Sequence, residues 1–168
     1  MPYSEEQHPK YAERIRELRE ARGLSIEQAA DESGISFSNH LDLESYDDEI
    51  LMCVSLRELT ALGRMLGVDP IGLLAPDPDR KPVVQLSRSE LAQAILKFVN
   101  DSRQSISAFE EQVGWEVAAA LEDSEKILGW NIDCLSDVCA AIGVNWLEAL
   151  PETKDCQPSN APDAFGAR

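Results

Sequence analysis

Long apolar runs are missing from this 168-residue chain. No window approaches the roughly 18 consecutive apolar residues of a membrane-spanning helix. The opening Met1-Pro2-Tyr3-Ser4-Glu5-Glu6 lacks the basic-then-apolar layout of a secretory signal, so a cytoplasmic protein without membrane association is expected. The four cysteines (Cys53, Cys134, Cys139, Cys156) form no Cys-x-x-Cys pair, and only His8 and His40 could supplement them, so no metal centre is expected. Cys134 and Cys139 fall in a helical apolar pattern and read as small buried thiols in a reducing compartment. A phosphate-cradling glycine loop, a nucleophile elbow and a histidine placed to serve a Ser or Cys nucleophile are all missing. The chain is therefore read as non-catalytic and without a cofactor.

Basic residues are also scarce. Fifteen Lys and Arg stand against 31 Asp and Glu, a net charge of −16 that divides at Pro76 into −8 on either side. A field of this sign repels nucleic acid and anionic membrane and steers basic partners inward, although solubility alone is the other explanation.

Hydrophobic residues at 43% and charged residues at 27% are the proportions of a folded globular chain. Apolar residues recur at helical spacing nearly throughout, and strand-like alternation is almost absent, which predicts an all-α protein. Tyr11, Ile15 and Leu18 line a first helix ending at Gly23, and Ser25-Ile26-Glu27-Gln28 has the form of a capping box opening a second, stopped by Gly34. A third helix is expected from Ser36 to about Glu44, followed by an acidic loop, Tyr46-Asp47-Asp48-Glu49. Ser55-Leu56-Arg57-Glu58 is a second capping box, leading a helix whose Leu56, Leu59, Leu62 and Leu66 form a buried stripe ended by Gly67. Asp69-Pro70 starts a short fifth helix with Ile71, Leu73 and Leu74 to bury.

Pro76, Pro78 and Pro82, in the polar run from Ala75 to Leu86, make 77–86 a linker, after which the layout returns over 87–150. Ile95 and Phe98 answer Ile15 and Leu18, Ser105 and Gly114 answer Ser25 and Gly34, and Leu135, Val138, Ile142 and Gly143 answer Leu59, Leu62, Leu66 and Gly67. The offset drifts from 80 to 76. Asn145-Trp146-Leu147-Glu148 reads as a further capping box, and 151–168 as an unstructured tail.

The run Arg16-Glu17-Leu18-Arg19-Glu20-Ala21-Arg22-Gly23-Leu24-Ser25, then Ile35-Ser36 after Gly34, and Leu66-Gly67-Val68-Asp69 together resemble the lambda-repressor-like (XRE) helix-turn-helix family over Tyr11 to Pro76. The expected architecture is two tandem five-helix units, 8–76 and a degenerate copy at 87–150. The resemblance further implies a partly buried ion pair between Arg19 of the first helix and Glu44, 25 positions later; two unrelated surface charges are the other reading. It would ordinarily imply a transcriptional regulator whose third helix enters the major groove, with Ser36, Phe37, Ser38 and Asn39 as the candidate DNA contacts.

The residues that would touch DNA oppose that role. Groove binding needs cations for phosphates, yet Asp31 to Glu49 carries seven acids and no Lys or Arg. The arginines of the first helix alternate with Glu13, Glu17 and Glu20 and read as pairs on a solvated face. His40 takes a core-facing place. In the second unit the third-helix candidate, Trp115 to Glu122, is alanine-rich and reads no bases. The favoured expectation is a protein-binding regulator, antitoxin- or immunity-like, that holds a basic protein through Phe37, Ser38, Leu41, Asp42, Asp47, Asp48, Glu49 and Trp115. In the alternative, Phe37 and Trp115 are simply buried, or the chain is a DNA-binding homodimer that pools basic residues from both subunits.

Overall fold

A computed structural model describes residues 10–77, 79 and 81–152. Among them the regular elements are helical, and the one β-type contact is an isolated antiparallel bridge between Ser55 and Asn131. The protein is all-α. No helix among the described residues is long and apolar enough to cross a membrane.

The first half carries α1 (Tyr11–Ala21), α2 (Ile26–Ser33), α3 (Phe37–Leu43), α4 (Glu49–Met52), α5 (Leu56–Leu66) and α6 (Pro70–Leu74). The second carries α7 (Arg88–Asp101), α8 (Ile106–Val113), α9 (Ala118–Glu122), a 3-10 turn at Ser124–Gly129, α10 (Ile132–Ile142) and a 3-10 turn at Trp146–Ala149. Ser25 and Ser55 both close reciprocal capping boxes, with Gln28 and Glu58, and Asp69 caps α6 through the Gly72 amide. Among the caps unread in the sequence are the Ser87–Glu90 box of α7 and Asn131, whose Oδ1 accepts the Cys134 amide at 2.8 Å.

Several elements differ from expectation. The acidic loop ends in a helix, because Asp48 and Glu49 open the single turn of α4 that buries Ile50. The expected helix from Trp115 is shortened to α9, whose start is set from a distance. Glu110 Oε1 accepts the amides of Val117 and Ala118 at 2.7 and 2.8 Å. Asn145 does not form a capping box with Glu148. Its Oδ1 accepts the Leu147 amide and the chain tightens into a 3-10 turn.

The two halves share one core. Ile15, Leu59, Leu62 and Leu73 are fully buried in the first, Ile95, Phe109, Leu135 and Val138 in the second. The 3-10 turn Ser124–Gly129 packs on α5, and α10 packs on α4. Where they meet, the N-termini of α5 and α10 abut: the Leu56 amide donates to Trp130 O and Asn131 Nδ2 donates to Met52 O, both at 2.7 Å. The far end of the expected linker is not free either, since the Leu86 amide donates to Glu148 O at 2.7 Å. Of the expected tail, Pro151 is buried and Glu152 half-buried; the remainder lies outside the described residues.

Six described residues have a positive φ, and they form three pairs. Gly34 (73°) and Gly114 (79°) lie 80 positions apart, and Gly67 (75°) and Gly143 (74°) lie 76 apart. Gly23 (68°) lies 80 before Arg103 (53°), the one residue of the six with a side chain. A Cβ in this region crowds the following carbonyl, so Arg103 carries strain that Gly23 avoids. We expect Arg103→Gly to raise the free energy of unfolding by roughly 0.5–1 kcal/mol in urea titrations. Gly23→Ala should lower it by about 1 kcal/mol. A Cβ there would meet nothing within 4 Å, so that loss is conformational alone.

Candidate functional site

The candidate face is α3, and α1 holds it from behind. Arg19 Nε and Nη2 donate to Glu44 Oε1 and Oε2 at 2.6 and 2.8 Å, a bidentate pair, while Nη1 donates to Leu24 O at 2.7 Å. Both side chains are buried, Arg19 at 8% and Glu44 at 4% exposure. The hydrogen bond that Arg19 donates to Glu44 pushes its pKa above its already high ordinary value, against the pull of burial. The neighbouring arginines reach across as well. Arg16 Nη2 donates to Glu44 O at 2.5 Å and Arg14 Nη2 to Gly72 O at 3.1 Å. Arg19 thus makes the expected pair with Glu44, while the reading of Arg14 and Arg16 as part of a solvated face of paired charges is corrected: together the three tie α1 to the end of α3, to the loop after α1 and to α6. Glu44 is likewise lost from the outer surface, turned inward from among the seven acids between Asp31 and Glu49.

The outward face of α3 matches what the spacing places there. Ser36 caps the helix through the Asn39 amide, and Ser36, Phe37, Ser38, Asn39 and Leu41 are exposed, Phe37 at 45% and Leu41 at 39%. Asp42 is half-buried. Phe37 borders an open depression of about 510 Å³ whose other lining includes the carboxylates Glu27 and Asp31. Beyond the helix, Asp48 is exposed and Glu49 half-buried, while Asp47 Oδ1 accepts the Ala12 amide at 2.8 Å and so caps α1. Tyr46 and Met52, exposed at 58% and 52%, are apolar surface that sequence reasoning passed over, since isolated residues in a loop and a single-turn helix carry no periodic signal. Trp115 belongs to the other half. It is half-buried against the core, with its indole N–H donating to Asp137 Oδ2 at 2.9 Å.

His40 is fully buried between α2 and α3. Its Nε2 lies 3.1 Å from Ser33 Oγ, and its Nδ1 has no hydrogen-bond partner. Burial holds its pKa below the ordinary value, with Glu44 pulling upward and Arg19 downward. Cys134 and Cys139 are buried, and burial first, then the field of Asp137 on Cys134 and of Glu148 on Cys139, pushes each thiol up to about 12. Neither is a nucleophile at neutral pH. No group of three or more His, Cys, Asp or Glu among the described residues is arranged to hold a metal ion.

Comparison with protein-family models, with curated proteins and with solved structures finds no match.

Removing the arginine strands a buried carboxylate. Arg16, bonded to the Glu44 carbonyl, has its Nε 3.9 Å from the carboxylate oxygen Oε2, too distant to hydrogen-bond there in its place. Arg19→Met is therefore expected to cost about 3–5 kcal/mol in chemical denaturation, and the double change Arg19→Met, Glu44→Leu to recover most of the loss. The imidazole supplies a pH dependence of known sign. The unfolded chain takes up a proton near pH 6.5 that the folded chain refuses, so stability is full above about pH 7 and falls as pH drops through that value. His40→Leu should flatten the slope between about pH 7 and 5.5, above the range of ordinary carboxylates. Urea midpoints across the series measure it, and an unchanged slope would exclude His40 as the cause.

Proposed function

We propose that this chain is a non-catalytic protein-binding regulator on a lambda-repressor-like helix-turn-helix scaffold, with a second, degenerate unit in tandem, and that α3 grips a basic protein. An antitoxin- or immunity-like inhibitor of a basic toxin is the form that this chemistry suits best. The observation that carries the reading is the α3 face itself. Phe37 and Leu41 stand exposed beside Glu27, Asp31 and Asp42, and no Lys or Arg occurs between Asp31 and Glu49. Apolar anchors inside a charged rim are the usual energetic centre of an interface, and the rim raises the association rate with an oppositely charged partner.

The tandem scaffold is supported by the paired positive-φ residues and by the N-terminal contact of α5 with α10. Ser55 and Asn131 cap those helices and stand 76 positions apart, so each bridges to its own counterpart, as two units related by a two-fold axis do. The second unit lacks the anchors. Ala118 and Ala119 begin α9, and Trp115 is turned against the core.

The alternative, a DNA-binding regulator acting as a homodimer, would use Ser36, Phe37, Ser38 and Asn39. All four are exposed, but Arg14, Arg16 and Arg19 of α1 are spent on Gly72, Glu44 and Leu24. Affinity capture by the full chain from its native host should recover a stoichiometric basic protein. Phe37→Ala should weaken that complex about 30-fold, the size of a hot-spot truncation. Sub-micromolar binding to random duplex at low salt, weakening steeply as salt rises, would replace this reading with the DNA-binding one.

A further inference from the structure

Beside the junction of the two halves lies an open cleft of about 530 Å³, whose lining includes neither Phe37 nor Leu41. Met52 and Cys53 at the end of α4 form one wall, Trp115 and Trp130 belong to the other half, and Glu58 and Glu116 add carboxylates. The inter-half bonds from Asn131 Nδ2 to Met52 O and from the Leu56 amide to Trp130 O hold the walls together. The volume falls within the range of ordinary ligand pockets.

The lining is apolar and negative at once. Two half-buried indoles and an exposed, adaptable methionine offer contact surface, and none of the lining residues is basic. Asp137 extends the negative field, accepting the Trp115 indole N–H. Further carboxylates stand at the Cys53 wall: the thiol is raised by a hydrogen bond to Glu49, by burial, and by the fields of Glu49, Asp48 and Asp42. Aromatic faces and carboxylates both attract cations, while the same field repels a nucleic acid or a second copy of a chain with net charge −16.

We infer that this cleft is a second contact site for the partner protein, and that it takes a short basic segment in which an arginine or lysine neighbours an apolar side chain. The apolar group packs on Met52 and Trp130, and the cation faces Glu116 and Asp137. This rests on the reading of the chain as a binder of a basic protein and adds a site remote from Phe37 in sequence.

The probe is a capped seven-residue peptide of alternating leucine and arginine, titrated into the full 15N-labelled chain, with glutamate replacing arginine in the control. The indole N–H signals of Trp115 and Trp130 and the side-chain amide of Asn131 should shift saturably with the arginine peptide alone. Glu116→Lys should weaken this binding about tenfold, as expected for charge reversal in a site of one sign. Phe37→Ala should leave it unchanged. Glu116 and Met52 are exposed, so substitution spares the core, and the dispersion of the remaining amide signals checks the fold. Equal binding of the glutamate peptide, indifference to Glu116→Lys, or the absence of any shift would overturn the proposal. Shifts confined to α3 would overturn it too while leaving the Phe37 reading standing. Shifts at the tryptophans in a chain whose partner capture ignores Phe37→Ala would sink the α3 reading and leave the cleft.

Discussion

The carboxylate of Glu44 sits almost out of solvent at the end of α3, and it can do so because Arg19 meets both of its oxygens. A buried charge without its partner costs several kcal/mol, so this pair fixes where the end of α3 lies relative to α1. Arg16 adds a bond to the same residue's carbonyl and Arg14 one to α6, so three cations of α1 are directed at the protein's own acceptors. The outward character of α3 follows. With the cations drawn behind the helix, its open side is left to Phe37, Leu41 and the carboxylates.

The second half solves the same problem without charge. Val99 stands 80 positions after Arg19, as Ile95 does after Ile15, and it is buried at 3% exposure. An apolar side chain avoids the desolvation that a buried guanidinium must offset. It also abandons the lever that positions the following helices. In this half Glu110 caps the start of α9, and α9 is a short helix opening on two exposed alanines. The two halves thus keep a common helix order and common turn conformations while differing in what they offer to solvent. Under the proposed reading, that difference leaves one binding face, on α3, and not two equivalent ones.

Arg103 shows that a left-handed backbone conformation need not carry the residue suited to it. Its φ of 53° matches the place of Gly23, although nothing in the local sequence marks a left-handed residue there. Glycine at 34, 67, 114 and 143 announces its conformation, whereas Arg103 is seen only once the helices on either side are placed. The missed α4, the late start of α9 and the 3-10 turn after Asn145 share that property. Each is decided by a contact distant in the chain or by a single turn too short to show a period.

What the sequence by itself determined is local. The all-α class, the serine and aspartate caps, the glycine stops and the leucine stripe of α5 follow from interactions within one turn or one helix face. Only the tertiary structure decided the rest: that Phe37 stands exposed, that Arg14 and Arg16 join Arg19 on intramolecular acceptors, that His40 keeps an unpartnered nitrogen, and that the two halves share one core with a cleft beside their junction. The inter-element bonds among them join groups 28 to 79 positions apart. A periodic pattern carries no information about that separation, because it records which way a side chain points and not what it meets.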